Sequence, residues 1–447
     1  MAQEGNIAET LTTELTGSHS GAGSFTEELK VSGMAETLIG SEIIKLAGEI
    51  REKIKSGEKI LNFTIGDFDP QIFPIPEELN HQIIASYNRG ETNYPPAEGI
   101  PELRKSVSLF LRNRQHLAYK ENDILIACGA RPLIYGIYRT VLDPGDTVIY
   151  PLPSWNNNHY CHLAGANGCP VETSAERNFM PTGKDIEPFI ADANLIALCS
   201  PLNPSGTIFS ETDLSDICEL VLHENRRRKG RKKPVYLLYD QIYWLLTYGS
   251  TKHVDPVSLH PAMADYTFYV DGISKYFSGT GVRVGWAFGP GRIVEKMKSI
   301  LSHVGAWAPR AEQCAVSRFL CMDNEIDNFL YSFKKQVQLR LDGIYDGLMK
   351  LKAEGFAVDA IAPQASIYLT VRLNLHGYRT GDGRVLVNTA DVTRYILEEA
   401  KIALVPFYAF GSGPDSTWYR LSVGTARPGD VEDFYRNLRN ALSKLSL

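Results

Sequence analysis

The stretch VYLLYDQIY (235–243) reads as a short strand that ends on a carboxylate, Asp240, and turns at once. Its apolar residues run without in/out alternation, the pattern of a strand covered on both faces. The same pattern recurs on either side of it. DILIAC (123–128), DTVIYPLP (146–153), LIALCS (195–200), YTFYVDG (266–272) and RVGWAFG (283–289) are further strand candidates. Helical segments separate most of them. From residue 61 to about 315 this alternation predicts an α/β fold around a mainly parallel sheet.

The flanks read differently. A helix is expected at 41–56, with Ile43, Leu46, Ala47, Ile50 and Ile54 on one face and Gly57 placed to end it. Residues 1–30 are rich in Ser, Thr, Gly and Glu and are expected to form a flexible arm. In the last 130 residues a helix is predicted over 336–354, then strands at 366–373, 403–407 and 418–423, a helix near 390–401 and a final helix from 429. These describe a smaller α+β domain, to which helix 41–56 would belong because its apolar face lacks a neighbour. The expected division is thus 1–30, 31–60 joining the small domain, 61–330 for the large domain and 331–447 for the small one.

Composition narrows the function. Of 447 residues, 46 are Lys or Arg and 52 are Asp or Glu, and the net charge of −6 gives no electrostatic reason to bind nucleic acid. The basic run RRRKGRKK (226–233) reads as a solvated helix end. No apolar run is long enough for a membrane span, and the first residues lack the basic and apolar regions of a secretory signal. The expected location is the cytoplasm. Seven cysteines, an odd number without C-x-x-C, are expected to be buried free thiols. His159 and His162 have H-x-x-H spacing but no accompanying carboxylate, and no metal is expected.

Ligands of open α/β sheets bind at the carboxyl ends of the strands. In this sequence those ends are followed by Gly129-Ala130-Arg131-Pro132, Ser154-Trp155, Asn203, Asp240 with Tyr243, and Ser274-Lys275, with Arg283 eight residues after the lysine. Pro132 suits a first helical turn, whose free N–H groups bind anions. An amine, a carboxylate, a flat aromatic, an arginine and a helix N-terminus on one rim match the needs of pyridoxal phosphate: an aldehyde, a protonated ring nitrogen, a ring face and a phosphate.

With these residues the chain resembles the class I/II (fold type I) pyridoxal-phosphate aminotransferases of the aspartate aminotransferase superfamily, from about residue 35 to the C-terminus. The matching segments are IGDFDP (65–70), NYPPAEGIPELR (93–104), CGAR (128–131), LDPGDTVIYPLPSW (142–155), SPLNPSGT (200–207), YDQIY (239–243), GISKYFSGTGVRVG (272–285) and YRLSVGT (419–425). The resemblance implies a seven-stranded, mainly parallel sheet in the large domain. It implies that Lys275 carries pyridoxal 5'-phosphate as an aldimine and acts as the base at Cα, that Asp240 pairs with the ring nitrogen, and that Asn203 and Tyr243 hold the ring hydroxyl. Trp155 would stack on the ring. Arg283, with the N–H groups of Ala130 and Arg131, would hold the phosphate, and Gly129 and Ser274 would also bind the cofactor. Tyr94 would reach the cofactor of a neighbouring subunit, making the active unit a homodimer with shared sites. Arg420 would clamp the substrate α-carboxylate, backed by Gly66 and Asn203. The partners implied are an amino acid and a 2-oxo acid, exchanged by ping-pong kinetics.

Several positions depart from the family pattern: IGDFDP in place of G-E-P-D, Gln241 after the aspartate, Ser205, Gly279, and PQASIY (363–368) in place of P-x-G-x-[FY]. Arg131 stands where one branch of aspartate aminotransferases has a lysine for the distal carboxylate of the substrate and would bind it, and Gly40 and Ser41, just before the first helix, would line the same end. The reading is therefore a transaminase acting on aspartate or a related dicarboxylic amino acid with 2-oxoglutarate. A neutral or aromatic amino-acid transaminase, a carbon–sulfur lyase and, last, a cofactor-sensing regulator stand as alternatives.

Overall fold

The computed structural model describes residues 30–40 and 42–447. The sequence expectations for the arm before residue 30 and for Ser41 lie outside the described residues. Residues up to Leu38 form one unit, whose described part holds a short helix, Gly33–Thr37, capped by the Ser32 hydroxyl accepting from the Ala35 N–H at 3.3 Å. Residues Ile39–Leu447 form the other.

The strands are β1 Leu61–Asn62, β2 Ile124–Ala127, β3 Thr147–Leu152, β4 Asn167–Glu172, β5 Ala193–Cys199, β6 Tyr236–Asp240, β7 Thr267–Gly272, β8 Gly285–Phe288, β9 Val358–Ala360, β10 Tyr368–Leu373, β11 Ile402–Ala403, β12 Val405–Pro406 and β13 Trp418–Ser422. Seven of them make one sheet in the order β2-β8-β7-β6-β5-β3-β4. Only β8 runs against the others. The fold is therefore α/β with a mainly parallel seven-stranded sheet, as expected. A second sheet, β12-β13-β10-β9, is antiparallel, and β1 pairs with β11 in parallel.

The absence of alternation in the strands has its reason in the packing. In β2, Ile124 and Ile126 join one apolar cluster, and Leu125 and Ala127 join another on the opposite face. In β6, Leu237 and Tyr239 face one way and Leu238 the other. Helices Ala130–Val141 and Gly291–Val304 supply the second cluster, while Pro101–Gln115, Glu211–Arg228 and Arg310–Phe319 supply the first. Both faces are covered, so both sets of side chains must be apolar.

Five readings need correction. The helix expected at 336–354 spans Asp323–Ala353, because Ile326, Leu330 and Phe333 extend its buried stripe toward the N-terminus. Strand β4 was not foreseen: it is an edge strand, and most of its residues are exposed, so it carries no apolar run. The segment 403–407 is broken into β11 and β12, and the helix near 390–401 is Thr389–Tyr395 followed by a wider turn at Ile396–Ala400. All seven cysteines are free, yet only Cys161, Cys218 and Cys314 are buried, and Cys321 is exposed. Helix 41–56 is found at Glu42–Lys55, and the basic run ends helix Glu211–Arg228. Arg228 is buried there. It pairs with Glu224 at 2.5 Å and donates to the carbonyls of Ile190, Ala191, Ala193 and Lys233.

Candidate active site

The carboxyl ends of β2, β3, β5, β6 and β7 open into a cavity of about 770 Å³. Its lining holds Gly66, Ala130, Arg131, Ser154, Trp155, Asn203, Asp240, Tyr243, Ser274, Lys275, Arg283 and Arg420. Because β8 is antiparallel, its first residues lie at the same rim, and this is what brings Arg283 there.

The phosphate-type end is built first by backbone. Gly129 precedes helix Ala130–Val141 at φ +95, and a Cβ there would run into the Arg283 guanidinium. Arg283 itself sits at φ +60, a conformation that costs a non-glycine residue roughly 1 kcal/mol or more. Its Nη2 donates to the Cys128 carbonyl at 2.8 Å and its Nη1 to Thr280 at 2.6 Å, so the guanidinium is fastened beside the helix N-terminus. Arg131 places its Cζ 5.0 Å from the centroid of the Trp155 ring, a cation stacked on the cavity wall.

Lys275 lies deep in the cavity and keeps part of its surface open to it. Its Nζ donates to the Gly66 carbonyl at 2.7 Å. Burial pulls this ammonium down to about 8; Arg420 and Arg131 push the same way, and Asp67 and Asp240 oppose. Asp240 ends β6, and its Oδ1 accepts from the Ile242 N–H at 3.1 Å. Burial lifts the Asp240 carboxyl to about 6, against that N–H and the Lys275 charge. Among the described residues no cation lies within salt-bridge distance of it.

Arg420, on β13, is 2 % exposed. Its Nη1 donates to Asn203 Oδ1 at 3.1 Å and its Nη2 to the Thr64 carbonyl at 2.7 Å, while its Nε is buried without a protein partner. A buried guanidinium held on two sides, with a second hydrogen left on each terminal nitrogen, is arranged to take an anion. The hydroxyls of Tyr243 and Tyr368 meet at 2.8 Å. The cavity thus gathers five cationic side chains, Arg51, Arg131, Lys275, Arg283 and Arg420, against two carboxylates, Asp67 and Asp240.

Of the described sequence candidates, Gly129 and Tyr94 do not line this cavity; Gly129 lies directly before Ala130, which does. Tyr94 is 81 % exposed and packs edge-on against Trp307, at 5.3 Å between ring centroids. Ser41 lies outside the described residues, and Gly40, although described, does not line the cavity. Conversely, Arg51, Asp67, Asn157 and Tyr368 line it without having been singled out. Tyr368 closes PQASIY, a segment noted only for its departure from the pattern. Arg51 follows Ala47 by one helical turn, and both reach the cavity, a signal that the apolar stripe of that helix concealed.

Residues 58–436 match the family described as aminotransferase class I and II, and the chain belongs to that family. It is an aminotransferase. An aspartate aminotransferase of Rhizobium meliloti (strain 1021) is 28% identical over 409 residues, covering 91% of this chain and 94% of that protein. A probable aspartate/prephenate aminotransferase of Rhizobium leguminosarum bv. phaseoli is 28% identical over 389 residues, 86% of this chain and 92% of that one. The crystal structure of the aspartate aminotransferase from Rhizobium meliloti matches with a TM-score of 0.85 and 27% identity, over 94% of this chain and 100% of that chain.

Proposed function

We propose that the cavity binds pyridoxal 5'-phosphate on Lys275 and transfers the amino group of aspartate or a similar dicarboxylic amino acid to a 2-oxo acid. The observation that carries the cofactor assignment is Asp240: a carboxylate deep in the cavity that, among the described residues, has no cation within salt-bridge distance. A protonated ring nitrogen is the partner it lacks. The Gly129 cradle, where a Cβ would fill the space beside Arg283, fits a phosphate.

Bound there, the cofactor supplies an electron sink that acidifies the Cα proton of an amino acid. Among the described residues Lys275 is the only lysine lining the cavity. Its lowered pKa leaves a useful fraction of neutral amine near pH 8, able to take the Cα proton and return it elsewhere. Asp240 holds the ring nitrogen's proton, and Asn203 and Tyr243 orient the ring hydroxyl. Arg420 fixes the α-carboxylate, with the second hydrogens of its Nη1 and Nη2 left for it. Using one site for both donor and acceptor gives ping-pong kinetics.

The cationic excess of the cavity supports a second substrate carboxylate, with Arg131 at the wall as its partner. The test is an absorbance titration of the holoenzyme with L-aspartate in the absence of any 2-oxo acid: conversion of the cofactor band with release of oxaloacetate is expected, and a spectrum that responds to alanine or tyrosine but not to aspartate refutes the dicarboxylate reading. Arg131→Met is expected to raise KM for aspartate by about 10–100-fold, the worth of a charge-assisted hydrogen bond, while leaving KM for alanine within about twofold. Equal losses for both amino acids would return Arg131 to the phosphate alone.

We also propose that the active unit is a homodimer. Tyr94 stands out at the surface beside Trp307, available to a second copy. Sedimentation at about twice the 49.8 kDa chain mass is expected, and a monomer with full activity would exclude shared sites.

A further inference from the structure

We propose that Tyr368 is a positioning residue with two functions: its hydroxyl donates to Tyr243 and aligns that phenol on the cofactor's ring oxygen, and its ring seats Arg420. The first function rests on the placement of the ring oxygen beside Tyr243 proposed above.

The sheet brings these groups together. In the β10–β13 register Tyr368 opposes Ser422 and Thr370 opposes Arg420, so Tyr368 and Arg420 are diagonal neighbours on one face. The Arg420 Cζ lies 4.7 Å from the Tyr368 ring centroid, within cation–π range. Tyr243 meets the same ring edge-on at 5.6 Å between centroids, and the two hydroxyls are 2.8 Å apart. Room for the Tyr368 hydroxyl depends on Gly66, where a Cβ would come within 2.7 Å of it. The chain around Tyr368 is also fixed, its N–H donating to the Ser366 hydroxyl at 3.2 Å.

Proton counting sets the direction of the hydrogen bond. Burial pushes both phenols above their ordinary pKa, so each carries one proton. If Tyr243 spends its proton on the ring oxygen, the short contact requires Tyr368 to be the donor. Donation into Tyr243 strengthens its onward bond. The ring oxygen is then drawn toward Tyr243 and holds less firmly the proton it shares with the Lys275 nitrogen.

The experiment is a pH titration of the cofactor's absorbance in the holoenzyme. Tyr368→Phe is expected to raise the midpoint by about 0.5 pH unit, in the same direction as Tyr243→Phe and by less. In a Tyr243→Phe background, adding Tyr368→Phe is expected to shift nothing further. An unmoved midpoint in Tyr368→Phe alone, or additive shifts in the double variant, overturns the relay. If Tyr243→Phe itself leaves the midpoint in place, the ring oxygen is not beside Tyr243 and the reading beneath the relay fails. The second function is read separately: Tyr368→Leu, which removes the ring, should show a KM for the amino donor about tenfold above that of Tyr368→Phe. Equal KM values would remove Tyr368 from the seating of Arg420.

Discussion

Lys275→Ala is expected to abolish turnover, with a loss of at least about 10⁴-fold, the upper range for a positioned acid–base group. No second group can substitute. The other cations of the cavity are arginines, which do not release a proton in proteins. The amine also has a pH signature. Only its neutral form attacks an aldehyde, and with a pKa of about 8 that form grows about tenfold per pH unit below 8 and levels off above it. Condensation of the cofactor-free chain with pyridoxal phosphate should follow that curve. A Lys275→Ala enzyme with the parent's activity would end the assignment, and a condensation rate still climbing steeply at pH 10 would show an ordinary surface lysine.

Asp240→Asn is expected to lower kcat by about 10³-fold, the scale seen when one preorganised charge is removed from a site. The amide keeps the shape and can still accept from Ile242, so the fold should persist. What it lacks is the negative charge proposed above to hold a proton on the ring nitrogen. The loss should therefore fall on kcat rather than on KM, since the proposed partner of the α-carboxylate is a different residue, Arg420. Activity within tenfold of the parent would show that this carboxylate serves only to cap the turn after β6.

How far the site can be read without coordinates follows from where each residue stands. Asp240, Lys275, Trp155 and Asn203 each lie at or just past the end of a strand whose apolar run is plain in the sequence. Local pattern therefore places them on one rim. Arg283 needed more: it reaches the rim because β8 reverses direction, and direction is a matter of pairing rather than of pattern. Tyr368 and Thr64 were not legible. Tyr368 matters through its diagonal to Arg420, a register set by two strands about fifty residues apart. Thr64 contributes only its carbonyl, for which any residue would serve. Edge strand β4 escaped for the opposite reason, since exposure removed the apolar signal that marks the inner strands.

The join between β1 and β11 bears on how the enzyme is made. The carbonyls of Thr64 and Gly66, which hold Arg420 and Lys275, lie just past β1, and β1 finds its partner only at Ile402–Ala403. Thr64 and Arg420 are 356 positions apart. At about 5–20 residues per second, a ribosome takes roughly 20 to 70 s to cover that distance. The seven strands of the main sheet emerge well before its end, while the segment whose carbonyls hold Arg420 and Lys275 waits unpaired. Closure of so long a loop is slow, because its entropy must be spent before its contacts form. The cavity is accordingly among the last parts of the molecule to be completed during synthesis, and a chain that stops short of residue 420 lacks the buried guanidinium that lines it, however much of its sheet has already folded.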